Sequence, residues 1–298
     1  MPVFGLNLIF YAVVTALLAY LISKGNADAF QSGSAALFKI KYDAAFAFLL
    51  YAVITVIFFL PCIPSINSAM IGDESDGFVY IWNMFWAKKV ISSPGHSLYF
   101  TNYIFYPDGT TLLYNFYSFY NLALSLLFSG LLKYVTIYNI LILQTFVLAG
   151  LGAFLLVRYI TKDSFLSFVG GYIYAFNPSH YAHALCHINT ASIQFIPFFV
   201  LFFLKAVRTN SRKDLVLAAL FFFLTSLCCW YYLIYTAFFI FFYYCYAAFK
   251  EKKVFVFPHH MPPSLPQHFL FSAHCAASFP LPAAAWSSAF PGLAPNKS

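Results

Sequence analysis

Seven stretches of this chain run for about five turns of helix with almost no charge: residues 3–23, 44–64, 137–157, 164–182, 190–207, 214–230 and 231–249. Roughly 20 apolar residues in a helix cross a ~30 Å hydrocarbon layer. Only helices and closed barrels cross it with their backbone groups satisfied. Composition points the same way. Of 298 residues, 62% are hydrophobic and 8% charged, whereas a soluble domain carries ~25% charged residues. A third of that charge cannot clothe a water-soluble globule, so a soluble enzyme, a disordered chain and a disulfide framework are excluded. The chain reads as all-α: a polytopic integral membrane protein with about seven transmembrane helices plus surface-lying or re-entrant helices.

Basic residues set the orientation. Lys24, Lys39 and Lys41 lie between the first two spans; Arg158 and Lys162 follow the third; Lys205, Arg208, Arg212 and Lys213 follow the fifth; Lys250, Lys252 and Lys253 follow the last. Those loops hold twelve of the 16 basic residues. All become cytoplasmic if the N-terminus is external and residues 118–132 do not cross. At ~22 Å of helix that segment is short for a span, and it reads as re-entrant or surface-lying. The run at 3–23 has no basic leader and no small-residue cleavage site, so it reads as a helix and not a removed signal peptide. Three regions result: 1–43, an extra N-terminal span with its loop; 44–250, the main membrane region with an external loop at 65–117; and 251–298, a tail. The net charge of +7 is loop charge, with no pattern that calls for a nucleic-acid partner. The partner it implies is the lipid bilayer, with a cell membrane, the bacterial inner one, as the expected home.

Two outward segments carry the polar chemistry, 65–117 and 177–189. Three of nine acidic residues fall within four positions, Asp73, Glu74 and Asp76, just after the second span. Like charges beside hydrocarbon are costly. Grouped there, a carboxylate can act as general base toward a hydroxyl, or the group can hold a divalent cation such as Mg or Mn. The plainer reading is a solvated turn whose Asp76 caps a helix starting near Gly77. After the turn, residues 78–91 have amphipathic spacing, with Phe78, Ile81, Trp82, Phe85 and Trp86 on one face and Lys88 and Lys89 closing the C-terminal end. Asp108, in Tyr106-Pro-Asp-Gly109, reads as a turn residue.

Three of the eight histidines, His180, His183 and His187, fall at i, i+3 and i+7. They follow Asn177-Pro178 at the outer end of a span. Such a face suits contact with a phosphate, with His187 nearest the loop centre, or plain packing; without a nearby carboxylate in sequence it is a poor zinc site. The six cysteines, Cys62, Cys186, Cys228, Cys229, Cys245 and Cys275, form no CxxC pair and read as small apolar residues.

This order of parts resembles the C-type (GT-C) membrane glycosyltransferases, which use polyprenyl-phosphate sugars. Asp73-Glu74 matches the DE form of that family's first-loop motif, and Glu74-Ser75-Asp76 its ExD form. Residues 78–91, Arg158, 164–182 and 180–187 take the places of the surface helix, the basic helix end, the short outward span and the second substrate loop, over about residues 44–250. The extra span at 3–23, and histidines where many relatives carry an acid, depart from the pattern. The resemblance implies transfer of a sugar from a polyprenyl-phosphate donor to an acceptor hydroxyl on the extracytoplasmic face. It implies catalytic roles for Asp73, Glu74 and Asp76, with His187, His183, Lys88 and Lys89 on the departing phosphate. A divalent cation is admitted by the family but not required.

Residues 258–298 hold eight of 15 prolines and four of eight histidines, with Lys297 their one charged side chain. No helix or regular strand survives that proline density. The expectation is a tail that is disordered or out of frame from about residues 250–257; if it is out of frame, the chain is the N-terminal part of an enzyme and inactive alone. Two other classes share the apolar spans. In a transporter or lipid flippase the acidic group would bind a cation or proton, although such charges usually lie near the bilayer midplane. In a non-catalytic membrane subunit the acidic turn would only cap a helix.

Overall fold

The computed structural model describes residues 43–72 and 74–251. The span at 3–23, the loop with Lys24, Lys39 and Lys41, Asp73, and the tail from residue 252 with Lys297 lie outside them. Two compact units divide the chain, Met1–Ala247 and Ala248–Ser298; the site below belongs to the first.

Helix α1 (Asp43–Phe58) runs into a short 3-10 helix, Leu60–Ser65, and then a loop into α2 (Glu74–Ser92). A small hairpin follows: β1 (Phe100–Thr101) pairs antiparallel with β2 (Thr110–Thr111), Phe100 opposite Thr111. Next come α3 (Phe119–Phe128), α4 (Tyr134–Thr161), α5 (Ser164–Ala175), α6 (Pro178–Cys186), α7 (Ile188–Ala191), α8 (Ile196–Thr209), α9 (Arg212–Cys228) and α10 (Trp230–Glu251). Among the described residues three helical stretches are long and apolar enough to cross a membrane, Tyr134–Thr161, Ile188–Thr209 and Trp230–Phe249. Helices α1, α3 and α5 are apolar but shorter.

The expected span at 164–182 is not one helix. It stops at Ala175 and restarts at Pro178. Proline lacks an N–H and pushes its predecessor out of the helical region, and Asn177 is extended (φ −74°, ψ 153°). The run at 190–207 is likewise divided between α7 and α8, with Pro197 in the first turn of α8. Residues 214–249 form two helices: Cys229, extended at φ −156°, ψ 129°, separates α9 from α10. In place of the segment expected over 118–132, α3 is a ten-residue helix.

The 28-residue α4 is the centre of the packing. Tyr51 of α1 is fully buried between Gly150 of α4 and Gly171 of α5, and its hydroxyl donates to Phe168 O at 2.9 Å. Small residues let these backbones approach, the usual device where no hydrophobic effect drives helices together. Above them Phe58, Phe59, Phe146, Phe176 and Tyr181 form an aromatic cluster with neighbouring ring centroids 5.0–6.2 Å apart. A second cluster joins Phe199 and Phe203 of α8 to Phe239 and Tyr243 of α10.

Helix α2 forms, starting at Glu74, but the five residues expected on one face divide, with Trp86 buried, Ile81 and Trp82 half-buried, and Phe78 and Phe85 exposed. Its buried positions are Gly77, Tyr80, Asn83, Met84, Trp86 and Ala87, while Phe78, Val79 and Phe85 are exposed. The outward side is thus as apolar as the inward one, which suits a helix bathed in lipid or headgroups better than one facing water.

Candidate functional site

The acidic turn is placed by backbone contacts from two other elements. Asn139, buried in the second turn of α4, accepts from Ile71 N–H through Oδ1 and donates through Nδ2 to Ile66 O and Ala69 O, each at 2.8 Å. Gly72 follows at φ +109°; a Cβ there would stand 1.9 Å from Leu185 O of α6. Only glycine allows that conformation and that approach. The chain entering α2 is therefore pressed against the end of α6.

Helix α2 begins at Glu74, so Asp76 lies inside its first turn and is not the cap of a helix starting near Gly77, as the plainer sequence reading had it. A carboxylate in a first turn suits the helix dipole. Asp76 reaches outward from it.

Helix α6 is capped by Asn177, whose Oδ1 accepts from His180 N–H at 2.8 Å, and has Pro178 in its first turn. It ends at Cys186. His187 leaves the helix at φ −132°, ψ 82°, its N–H on His183 O. That departure takes its imidazole onto Asp76: Nε2 lies 2.8 Å from Oδ2, the two side chains 42% and 56% exposed. The other ring nitrogen, Nδ1, faces the thiol of Cys186 at 2.7 Å. With Nε2 against a carboxylate, the neutral ring carries its proton there, and its Nδ1 lone pair points at sulfur. At this exposure the pair adds at most about 1 kcal/mol to stability; its interest is chemical.

The three histidines do not share one face. His180 is buried, stacked on Phe146 at 4.1 Å, with its ring nitrogens on Ala175 O (2.6 Å), Ala191 O (2.8 Å) and Thr145 Oγ1 (3.1 Å). Burial lowers its pKa from 6.5 to about 4, so it is a neutral packing group near neutral pH. His183 meets Thr190 Oγ1 at 3.1 Å, its ring 6.1 Å from that of His187. Burial and then the His187 charge lower its pKa. Lys88 and Lys89 are not brought to the pair. Lys88 Nζ donates to Ser129 O at 2.9 Å just past the end of α3, and both lysines stand about 18 Å further along α2 than Asp76.

Beneath the pair, Tyr80 of α2 donates to Asn189 Oδ1 at 2.5 Å, tying α2 to α7; burial, then Asp76, raise its pKa. The Tyr138 hydroxyl is buried near Gly77, within electrostatic range of Cys186 and Tyr80, and has no hydrogen-bond partner among the described residues. Two aromatic clefts adjoin. One of about 480 Å³ is lined by Phe78, Val79, Trp82 and Tyr114; another of about 380 Å³ is lined by Tyr117, Asn189, Trp230 and Tyr231. Neither is lined by Asp76 or His187, but each starts two residues from one of them. Among the described residues no three Asp, Glu, His or Cys side chains converge to hold a metal ion. A cation on the acidic turn would draw on Asp73, Glu74 and Asp76, of which Asp76 alone has its side chain described.

Sequence reasoning passed over Cys186, Asn139, Tyr80 and Asn189. Cys186 was detectable as the neighbour of His187. The other three act through contacts 68–109 positions away in sequence, for which no local pattern exists. Comparison of the chain with protein-family profiles, with curated proteins and with solved structures gives no match.

Proposed function

We propose that the chain is a polytopic membrane glycosyltransferase of the C type, with about seven crossings, that moves a sugar from a polyprenyl phosphate to an acceptor hydroxyl at the outer face of a cell membrane. The reading is supported above all by one observation: Asp76 and His187, 111 positions apart and drawn from the two outward segments, meet at 2.8 Å on an accessible surface. In the transfer, the acceptor oxygen bonds to the anomeric carbon as the bond from that carbon to the lipid phosphate breaks. The acceptor proton passes to a carboxylate of the acidic turn, with Asp73 and Glu74 as bases beside Asp76. The His187 imidazolium, held through Nε2–H by Asp76, donates its Nδ1–H to the departing phosphate, where negative charge grows. His183 stands behind it. The apolar clefts lined by Trp82 and by Trp230 suit a lipid-borne donor.

The test is sugar transfer by membranes containing the chain, supplied with a radiolabelled polyprenyl-phosphate sugar. Transfer is expected, with Asp76→Asn and His187→Gln each slower by about 10²–10⁴-fold. Absence of transfer by the unaltered chain, or unchanged rates in both variants, would overturn the reading. Ion-coupled uptake abolished by the same variants would put the transporter in its place.

A further inference from the structure

At the far end of α4 from the acidic turn, three cations from two helices gather on one ring. Lys162 Nζ lies 4.7 Å from the centroid of Tyr159, Lys205 Nζ 5.5 Å and Arg208 Cζ 5.4 Å; Lys205 also stands 5.2 Å from the Phe202 ring. A ring face attracts each cation singly. Three within reach of one centroid are nevertheless about a Debye length or less from one another, so their repulsion is not screened away. Among the described residues none of the three pairs with a carboxylate. The acids nearest in sequence form no ion pair with them: Asp163 Oδ1 accepts from Leu166 N–H as the cap of α5, and Asp214 lies in the first turn of α9.

We propose that Lys162, Lys205 and Arg208 form a binding site for the phosphate of an anionic phospholipid headgroup. Depth decides between a lipid and a solute. Helix α4 is about 42 Å long against a hydrocarbon layer of ~30 Å, so its ends stand at the level of the lipid phosphates. Lys162 and Arg208 are exposed there, and so are the apolar Ile160 and Val207 next to the cluster, which offer an acyl chain a surface directly below its headgroup. Basic pockets between spanning helices are well suited to such headgroups. The site stands apart from the sugar-transfer chemistry, some 35 Å along α4 from Asn139.

The test uses the whole chain in nanodiscs of phosphatidylcholine containing a small fraction of phosphatidylglycerol, followed by detergent extraction and mass spectrometry of the retained lipid. Selective retention of phosphatidylglycerol is expected. The combined Lys162→Gln, Lys205→Gln, Arg208→Gln variant should lose it by tenfold or more at an unchanged melting temperature. A Tyr159→Phe variant, which keeps the ring, should retain it. Equal retention of both lipids, or equal retention by the triple variant, would overturn the proposal. Complete displacement by millimolar inorganic phosphate would reassign the site to a soluble anion and overturn the lipid.

Discussion

Single residues divide the polar chemistry into parts that act on solvent and parts that hold the fold. His180 and His187 are seven positions apart, yet one is sealed against Phe146 and the other reaches Asp76 in the open. The His180 pKa near 4 lies below the ordinary 6.5. Between those values the unfolded chain takes up a proton that the folded chain refuses. Its contribution is therefore full above about pH 6.5 and is lost as the pH falls toward 4, for a total of roughly 3 kcal/mol. Melting in detergent followed from pH 7 to pH 4 should show that loss, and His180→Gln should flatten the curve over the same range. Gly72 makes a second residue-scale case. Gly72→Ala puts a Cβ against Leu185 O on a backbone at φ +109°. Strain of about 1–3 kcal/mol, relieved by moving the acidic turn off α6, should reduce sugar transfer by more than it lowers the melting temperature would explain.

At the scale of elements, what periodicity carries was readable and what interruptions carry was read less well. The runs at 137–157 and 231–249 fall inside α4 and α10 because a long uninterrupted apolar stretch has one cheap conformation in lipid. The run at 164–182 is equally apolar, but Asn177-Pro178 starts a new helix inside it, a local signal that hydropathy does not register. Asn177→Ala should cost about 1 kcal/mol through the lost cap, measured as a lowered melting temperature, with a smaller loss of transfer as His187 shifts. The face of α2 could not be read from spacing at all, since both its sides are apolar and the choice was made by Asn83 and Tyr80 finding Asn115 and Asn189. The packing of α1, α4 and α5 rests on two glycines. Gly171→Ala would set a Cβ 2.1 Å from the Tyr51 hydroxyl and 2.5 Å from Gly150 O, and should destabilise by about 2 kcal/mol or more.

Across the whole molecule, charge and chemistry lie at opposite ends of the same helix. The loop held by Asn139, with the acidic turn after it, stands at the start of α4; the cations on Tyr159 stand at its end. The sequence separated the two loops, 158–162 and 205–213, that the fold brings together on that ring, and it assigned both to one side from their charge alone. It also named both members of the Asp76–His187 pair, because scarce carboxylates and clustered histidines are conspicuous in so apolar a chain. Their contact was not readable, since it depends on Gly72, on the cap at Asn177 and on the exit of His187 from α6. Cysteine substitutions at Asp108 and Lys213 should be labelled by an impermeant maleimide from opposite faces of sealed vesicles. Labelling from the same face would remove the outward placement of the site.

The contact between Asp76 and His187 is best tested as a contact, by a double-mutant cycle on the rate of sugar transfer with Asp76→Asn, His187→Gln and the two combined. Groups that act as one unit are far from additive. If the carboxylate works by orienting the imidazole, the double variant is expected to be about as slow as the slower single variant. Losses that multiply across the cycle would mean that the two side chains act separately, and would contradict a site built on their meeting.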